Sequence, residues 1–514
     1  MLQQIQGNPR AIIKVIIQKN NNGSDLEQLI RQLDGKITKD LSIIHAIAAE
    51  LPAKNISKIA QNRAVRWISP DAPVVETGCK QCVSTANLKN SYNQTVYASR
   101  VWNTPPYLQG KGVTVAVVDS GMNTAHADIK DRVIAEKSFR LKSGTGDSFG
   151  HGTFVAGIIA GTGAAGNGTY IGIAPKANLL NVKVSGSLGE ALESDVIAGL
   201  QWIYEQKSTY KIRVVNLSIN SAVEQSYHKS PLAAACEILW FNGIVVVASS
   251  GNNGSGKLYP PANDPFVITV GAIDEMGTAT IVDDSVPAFS AFGITKDGFA
   301  KPDLVAPGRY IVGPLASSKS TLALLHRSNI VAQNYFMMSG TSVSAPIVSG
   351  AVALLLEDEP SLTPDQVKYR LVSTANKNWR AYNAAQAGAG ELDVYAAIQS
   401  NTTKSANTGT LVSNLLTTGP ESILSSQSKW ANTSWNSVSW SSVSWSSVSW
   451  SSVSWSSASW SSDYWEDGKN GPIEDLIKEE SLDLTIFESS VDQENKPEGE
   501  TSKNSVFLPL VTSN

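Results

Sequence analysis

VTVAVVDSG, residues 113–121, is an unbroken apolar run rich in β-branched side chains that ends at Asp119 and turns at Gly121. A run of this kind reads as a strand buried on both faces. Four more follow it: ANLLNVKV (177–184), RVVNLSI (213–219), GIVVVAS (243–249) and FVITVGA (266–272). Between them lie amphipathic stretches such as ESDVIAGLQWIYEQ (193–206) and SPLAAACEILWFN (230–242). This alternation predicts an α/β domain over residues 111–400, a parallel sheet with helices on both faces. Ligands of open α/β sheets gather outside the carboxyl ends of the strands, so Asp119 is well placed for chemistry. An Asp that only caps the next turn is the competing reading at this point.

Outside that span the chain changes character. Within residues 1–75, AIIKVII, SDLEQLIRQL, SIIHAIAAEL, LPAKNISKIAQN (helical) and AVRWISPDAPV predict a small α+β unit of ferredoxin-like βαββαβ order. Residues 76–110 lack periodicity and read as a linker, as do 401–429. In residues 430–465, Trp430, Trp435, Trp440, Trp445, Trp450, Trp455, Trp460 and Trp465 recur every five residues in a WSSVS repeat. Five residues turn a helix by about 500° and put successive tryptophans on opposite faces of a strand, so no amphipathic element results. A Ser-rich spacer and a pentad solenoid remain as readings, with eight pentads offering little core for the second. Residues 466–514 read as a disordered acidic tail, with twelve acidic and three basic side chains between 466 and 500.

The whole chain has 514 residues, 42% apolar and 17% charged, with a net charge of −4. That is the average of a soluble globular protein with more than one domain. No concentrated basic face is visible, which argues against nucleic-acid binding. No apolar run reaches the roughly 18 to 20 residues of a spanning helix, so no transmembrane segment is expected. Three cysteines exclude a disulfide-stapled scaffold. The start, MLQQIQGNPRAIIKVIIQ, contains no secretory signal pattern, which leaves location open between cytoplasmic as written and secreted if the start is incomplete or export is unconventional.

Two further motifs bear chemistry. FGHGTFVAGIIAG (149–161) puts His151 at the start of an apolar helix between glycines that allow close approach. A general base needs a pKa near neutrality, which histidine has unperturbed. MMSGTSVSAPIVSGAVALLLED (337–358) puts Ser342 between a Gly-Thr turn and a helix that admits Pro346 in an early turn. Its own N–H and the helix N-terminus then point where an oxyanion would form, although a serine there is also an ordinary N-cap.

In the order Asp, His, Ser, these motifs resemble the subtilisin-like serine proteases, the subtilases. The resemblance spans 111–400 and, more weakly, 11–74, which is similar to the family's inhibitory propeptide. It implies a serine endopeptidase acting on protein or peptide substrates through Asp119, His151 and Ser342, with no cofactor required. ASSGNNG (248–254) implies an oxyanion donor at Asn252 beside the Ser342 N–H, and substrate contacts at Ser249, Ser250 and Gly251. VVNLSIN (214–220) resembles the strand of the primary pocket, with Ser218, Ile219 and Asn220. Gly189, Glu190 and Ala191 form the opposite edge, where the charge of Glu190 would favour basic or polar substrate residues. KPDLVAPG (301–308) is another family stretch. Where the family has Gly-Gly after the pocket strand, this chain has Asn220-Ser221, and Val343-Ser344 replaces the common Met-Ala. The family's propeptide implies that residues 1–75 inhibit their own enzyme and are removed by self-cleavage between Val75 and Ser91. A structural calcium ion, frequent in the family, would draw on Asp128 and the loop 161–175. That loop offers only Asn167 as an obvious side-chain oxygen, so no metal site is assigned.

Cys79 and Cys82 form a CxxC with no second pair nearby, leaving a local disulfide or free thiols, and Cys236 lies on an apolar helix face. His126 is expected to be structural. The rival function is a binding or adhesion protein in which the Trp-Ser repeat, ligand unknown, does the biology.

Overall fold

The computed structural model describes residues 11–21, 23–71, 79, 81–140 and 143–417. The Trp-Ser repeat and the acidic tail lie outside the described residues. The chain divides into two compact units, with the boundary at Lys80/Gln81.

The first unit is built on four strands, β1 (Ile12–Lys19), β2 (Lys36–Leu41), β3 (Ala46–Pro52) and β4 (Val65–Pro70). They form an antiparallel sheet in the order β2-β3-β1-β4. Helix α1 (Asp25–Gln32) follows β1 and buries Leu26 and Ile30, four residues apart on one face. Val15 and Ile17 alternate inward from β1 and meet them, with Leu51, Ile56 and Ile59 closing the core. The βαββαβ order is therefore present. The helical reading of 51–62 shrinks to α2 (Ile56–Ala60), because Leu51 and Pro52 complete β3 and residues 53–55 form a single tight turn.

The second unit holds a parallel sheet of seven strands: β5 (Thr114–Asp119), β6 (Val133–Ser138), β7 (Asn178–Lys183), β8 (Ile212–Leu217), β9 (Val245–Ser249), β10 (Ile268–Ile273) and β13 (Leu304–Pro307). Two short strands between the last two, β11 (Gly293–Ile294) and β12 (Ala300–Lys301), make a separate ribbon. The sheet order is β13-β10-β9-β8-β5-β7-β6. Every residue of β5, β9 and β10 is buried, so both faces of the sheet are covered, as their unbroken apolar runs require. After β5 the chain builds β6 and β7 on one side of it, then returns to lay β8, β9 and β10 on the other. The strand order thus reverses at β5, which puts Asp119 in the crevice where such sheets bind ligands.

Residues read as linkers prove to be structure. Tyr92–Thr95 (α3) and Ala98–Asn103 (α4) bury Tyr92 and Trp102, and three side chains, Asn90, Tyr92 and Asn93, donate to the carbonyl of Ile171. Residues 411–417 dock as well: Tyr227 donates to the Leu411 carbonyl, and the Glu237 carboxylate accepts the Ser413 N–H. Helices of four to six residues are too short to show periodicity, and polar anchors join the buried apolar side chains in holding them. Cys79 and Cys82 are disulfide-bonded, and Cys236 is a buried free thiol.

Among the described residues one helix, Thr341–Asp358, is long and apolar enough to cross a membrane by length and composition. It is almost wholly buried and packs on β8, β9, β10 and β13, which makes it the core helix of the sheet.

Candidate active site

The carboxyl end of β5 delivers Asp119, which is 1% exposed. His151 opens the helix α5 (His151–Ala160) and is fully buried. Its Nδ1 lies 3.0 Å from both carboxylate oxygens of Asp119. A carboxylate only accepts, so the proton sits on Nδ1 and the other ring nitrogen of the neutral imidazole can act as an acceptor. The approach depends on Gly152: a Cβ there would stand 2.2 Å from the Gly121 carbonyl oxygen and 2.9 Å from Asp119 Oδ1.

Behind this pair stands a second carboxylate that no sequence pattern announced. Asp147 accepts from the Gly150 N–H (2.7 Å), the Thr153 N–H (2.8 Å) and the Thr153 hydroxyl (2.6 Å), capping the open end of α5. It also accepts from the Ser120 hydroxyl at 2.8 Å, and that same oxygen receives the Gly152 N–H and lies 3.2 Å from Asp119 Oδ1. Burial pushes the Asp147 carboxyl up, against the pull of those hydrogen bonds. The charge that orients His151 is thus itself held through Ser120 by a buried cap.

Two helices, α6 (Glu193–Gln206) and α7 (Pro231–Phe241), pack on each other before the chain reaches the nucleophile candidate. Ser342 is the second residue of α8 (Thr341–Asp358). Pro346 has no N–H, so the Ser342 carbonyl lacks its usual partner four residues on. The Ser218 hydroxyl supplies one at 2.8 Å. Val118 pairs with Leu217 across β5 and β8, so Ser218 follows in register beside Asp119, one strand spacing away. This register ties the serine's backbone to the Asp119–His151 pair. Asn252 completes the group: its Oδ1 accepts both the N–H and the hydroxyl of Thr341, each at 2.9 Å, which turns the amide NH2 edge away from Thr341. Thr341 Oγ1 in turn accepts the Gly251 N–H at 3.1 Å. Sequence reading missed Thr341 as well, although its place one residue before Ser342 was a usable signal.

Among the substrate-edge candidates, Ser218, Ile219 and Asn220 continue from β8, and Ser249, Ser250 and Gly251 from β9, all buried. Gly189, Glu190 and Ala191 lie on a turn closed by pairing of Ser185 with Ala191. The expected free charge at Glu190 is not there: Arg140 holds Oε1 at 2.9 Å, and the Leu188 N–H donates to Oε2. A carboxylate already paired in this way gives no ground for favouring basic substrates.

Of the two residues weighed as calcium ligands, Asp128 accepts the Ala165 N–H at 2.7 Å through Oδ1. Asn167 faces Asn87 through its backbone carbonyl. Among the described residues no group of three or more His, Cys, Asp or Glu is placed to hold a metal ion. His126 bridges the Asp128 N–H and the Asn334 carbonyl, a structural tie between its loop and a segment 208 residues on.

The class these elements define is that of the subtilisin-like serine proteases, hydrolases built on a parallel α/β sheet. The chain belongs to the subtilase family, whose model matches residues 110–414. It is 36% identical over 360 residues to serine protease AprX of Bacillus subtilis, covering 68% of this chain and 76% of that protein. It is 29% identical over 384 residues to subtilisin E of the same species, covering 73% and 86%. It is also similar to the structure of fervidolysin from Fervidobacterium pennivorans, at 25% identity and a TM-score of 0.48, covering 76% of this chain and 61% of that one.

Proposed function

We propose that the chain is a serine endopeptidase that cuts protein or peptide substrates through Asp119, His151 and Ser342, without a cofactor, and is made as a self-processing precursor. The observation that carries the reading is the buried contact of His151 Nδ1 with both oxygens of Asp119 at 3.0 Å. His151 takes the proton from Ser342 as Oγ attacks the peptide carbonyl, forming the acyl-enzyme, and returns it to the leaving amine. Asp119 fixes the tautomer and stabilises the imidazolium. The tetrahedral oxyanion is received by the Ser342 N–H and the Asn252 amide, whose orientation Thr341 sets.

Residues 1–75 act as the propeptide in this reading. Support comes from the described residues among them, which form a compact unit with its own core. The cut falls between Val75 and Ser91, upstream of Asn90, whose buried side chain is committed to the protease unit. Intact mass of wild type beside Ser342→Ala, with and without reductant, tests both halves. The wild type should lose its N-terminal unit and the variant should keep it. Reductant matters because a cut between Cys79 and Cys82 would leave the pieces joined by their disulfide. A variant clipped as the wild type is would show that another protease makes the cut.

A further inference from the structure

Among the described residues, Asn220 is the side chain of the site with both a donor atom and an acceptor atom buried and unpaired. The residue is 4% exposed, yet neither Oδ1 nor Nδ2 has a hydrogen-bond partner. Its neighbours are committed. Ser218 donates to the Ser342 carbonyl, Ile219 is buried among apolar groups, and Ser221 bonds the Glu193 carboxylate while its N–H donates to the Pro260 carbonyl. Asn220 Nδ2 lies 3.7 Å from the place a Cβ on Gly251 would take. Gly251 sits at φ 111° with no side chain of its own, and the next residue is Asn252.

This placement identifies what the amide faces. The substrate residue whose carbonyl is attacked must set its oxygen at Asn252 and the Ser342 N–H. Its side chain leaves from the adjacent carbon, so it enters the space bordered by Gly251 and Asn220. A buried amide with both edges unpaired is unfavourable unless a ligand completes it. The complement that satisfies a donor and an acceptor together is a side chain that also offers one of each, another primary carboxamide above all. A carboxylate meets only the donor, an ammonium only the acceptor, and a leucine neither.

Resting on the endopeptidase reading above, we infer that Asn220 is the specificity-determining residue of this enzyme, and that it selects Gln or Asn immediately before the scissile bond. A site that hydrogen-bonds a buried polar group rejects analogues that leave it unpaired, which is where the discrimination arises.

The test uses the full chain and a quenched peptide library varied at that one position, read as kcat/KM. Wild type should cleave Gln and Asn peptides at least about tenfold faster than Leu or Phe peptides. Asn220→Leu should reverse that order, Asn220→Gly should flatten it and admit larger side chains, and Asn220→Asp should move the preference to Lys and Arg. A fluorophosphonate, which carries no peptide side chain, reports separately whether the nucleophile is formed. Should wild type label and hydrolyse casein yet show no carboxamide preference, the inference falls and the endopeptidase reading stands. It falls equally if labelled variants keep the wild-type ranking. If wild type neither labels nor cleaves, the reading beneath it has failed first.

Discussion

The two sides of the site treat their polar groups in opposite ways. Behind His151, Asp119 and Asp147 are held by Ser120, Gly150 and Thr153 in a closed set of hydrogen bonds. Along the ends of β8 and β9, both amide atoms of Asn220 and the hydroxyls of Ser249 and Ser250 are buried without a partner. In the proposed mechanism, groups that must hold still through the reaction are satisfied by the protein itself, and those placed to meet the substrate keep their bonding capacity in reserve. The contrast separates changes that damage the chemistry from changes that redirect it.

The largest loss should come from the reacting atom. Ser342→Ala removes casein hydrolysis and fluorophosphonate labelling while leaving the circular dichroism spectrum intact. Next is the oxyanion donor. Asn252→Ala should lower kcat by about 10² to 10³ with little change in KM, the magnitude being that of losing the corresponding donor in subtilisin itself. Equal losses of binding and turnover would mean that Asn252 serves the ground state.

A smaller effect is expected behind the pair. Asp147→Asn keeps the shape but exchanges an acceptor for a donor that faces N–H groups, so kcat should fall about tenfold. With less negative charge behind Asp119, the imidazolium is less favoured, and the acidic limb of the pH–rate profile should move to lower pH. A variant that loses only thermal stability, with the profile in place, would make Asp147 a cap and nothing more.

How much of this was legible in the sequence follows from how local each signal is. The strands of the sheet were readable because burial on both faces leaves continuous apolar runs, as in VTVAVV. Asp119, His151 and Ser342 were readable because glycines and a proline mark the turns and the helix starts on which they sit. Asp147 was not, since its function lies in a cap to α5 and a bond to Ser120, neither of which has a spacing rule of its own. Glu190 was misjudged because the cation that neutralises it, Arg140, stands 50 residues away. Residues 92–103 passed for linker because their two helices are only four and six residues long, too short for the buried Tyr92, Val96, Ala98, Val101 and Trp102 to show a period.

The smallest effect is one of stability, away from both sides of the site. Burial raises the Glu275 carboxyl to about 7, and neighbouring Asp274 and Asp284 push the same way against the Ser91 hydroxyl. The folded state therefore binds the proton more tightly than the unfolded one. Its contribution is complete below the ordinary carboxylate value of 4.5 and is lost as pH rises through about 7. Melting temperature should fall between pH 5 and pH 8, and Glu275→Gln should flatten that slope by the equivalent of about 2 to 3 kcal/mol. Parallel curves for the two proteins would place the pH sensitivity elsewhere.

In the proposed mechanism Ser342 is the nucleophile, driven by His151 on Asp119. Treating the full chain with a fluorophosphonate and mapping the modified peptide tests it most directly. The label should reside on Ser342 alone and should disappear in His151→Ala, which keeps the serine but lacks the base. Labelling of another serine, or undiminished labelling of Ser342 without His151, would contradict it.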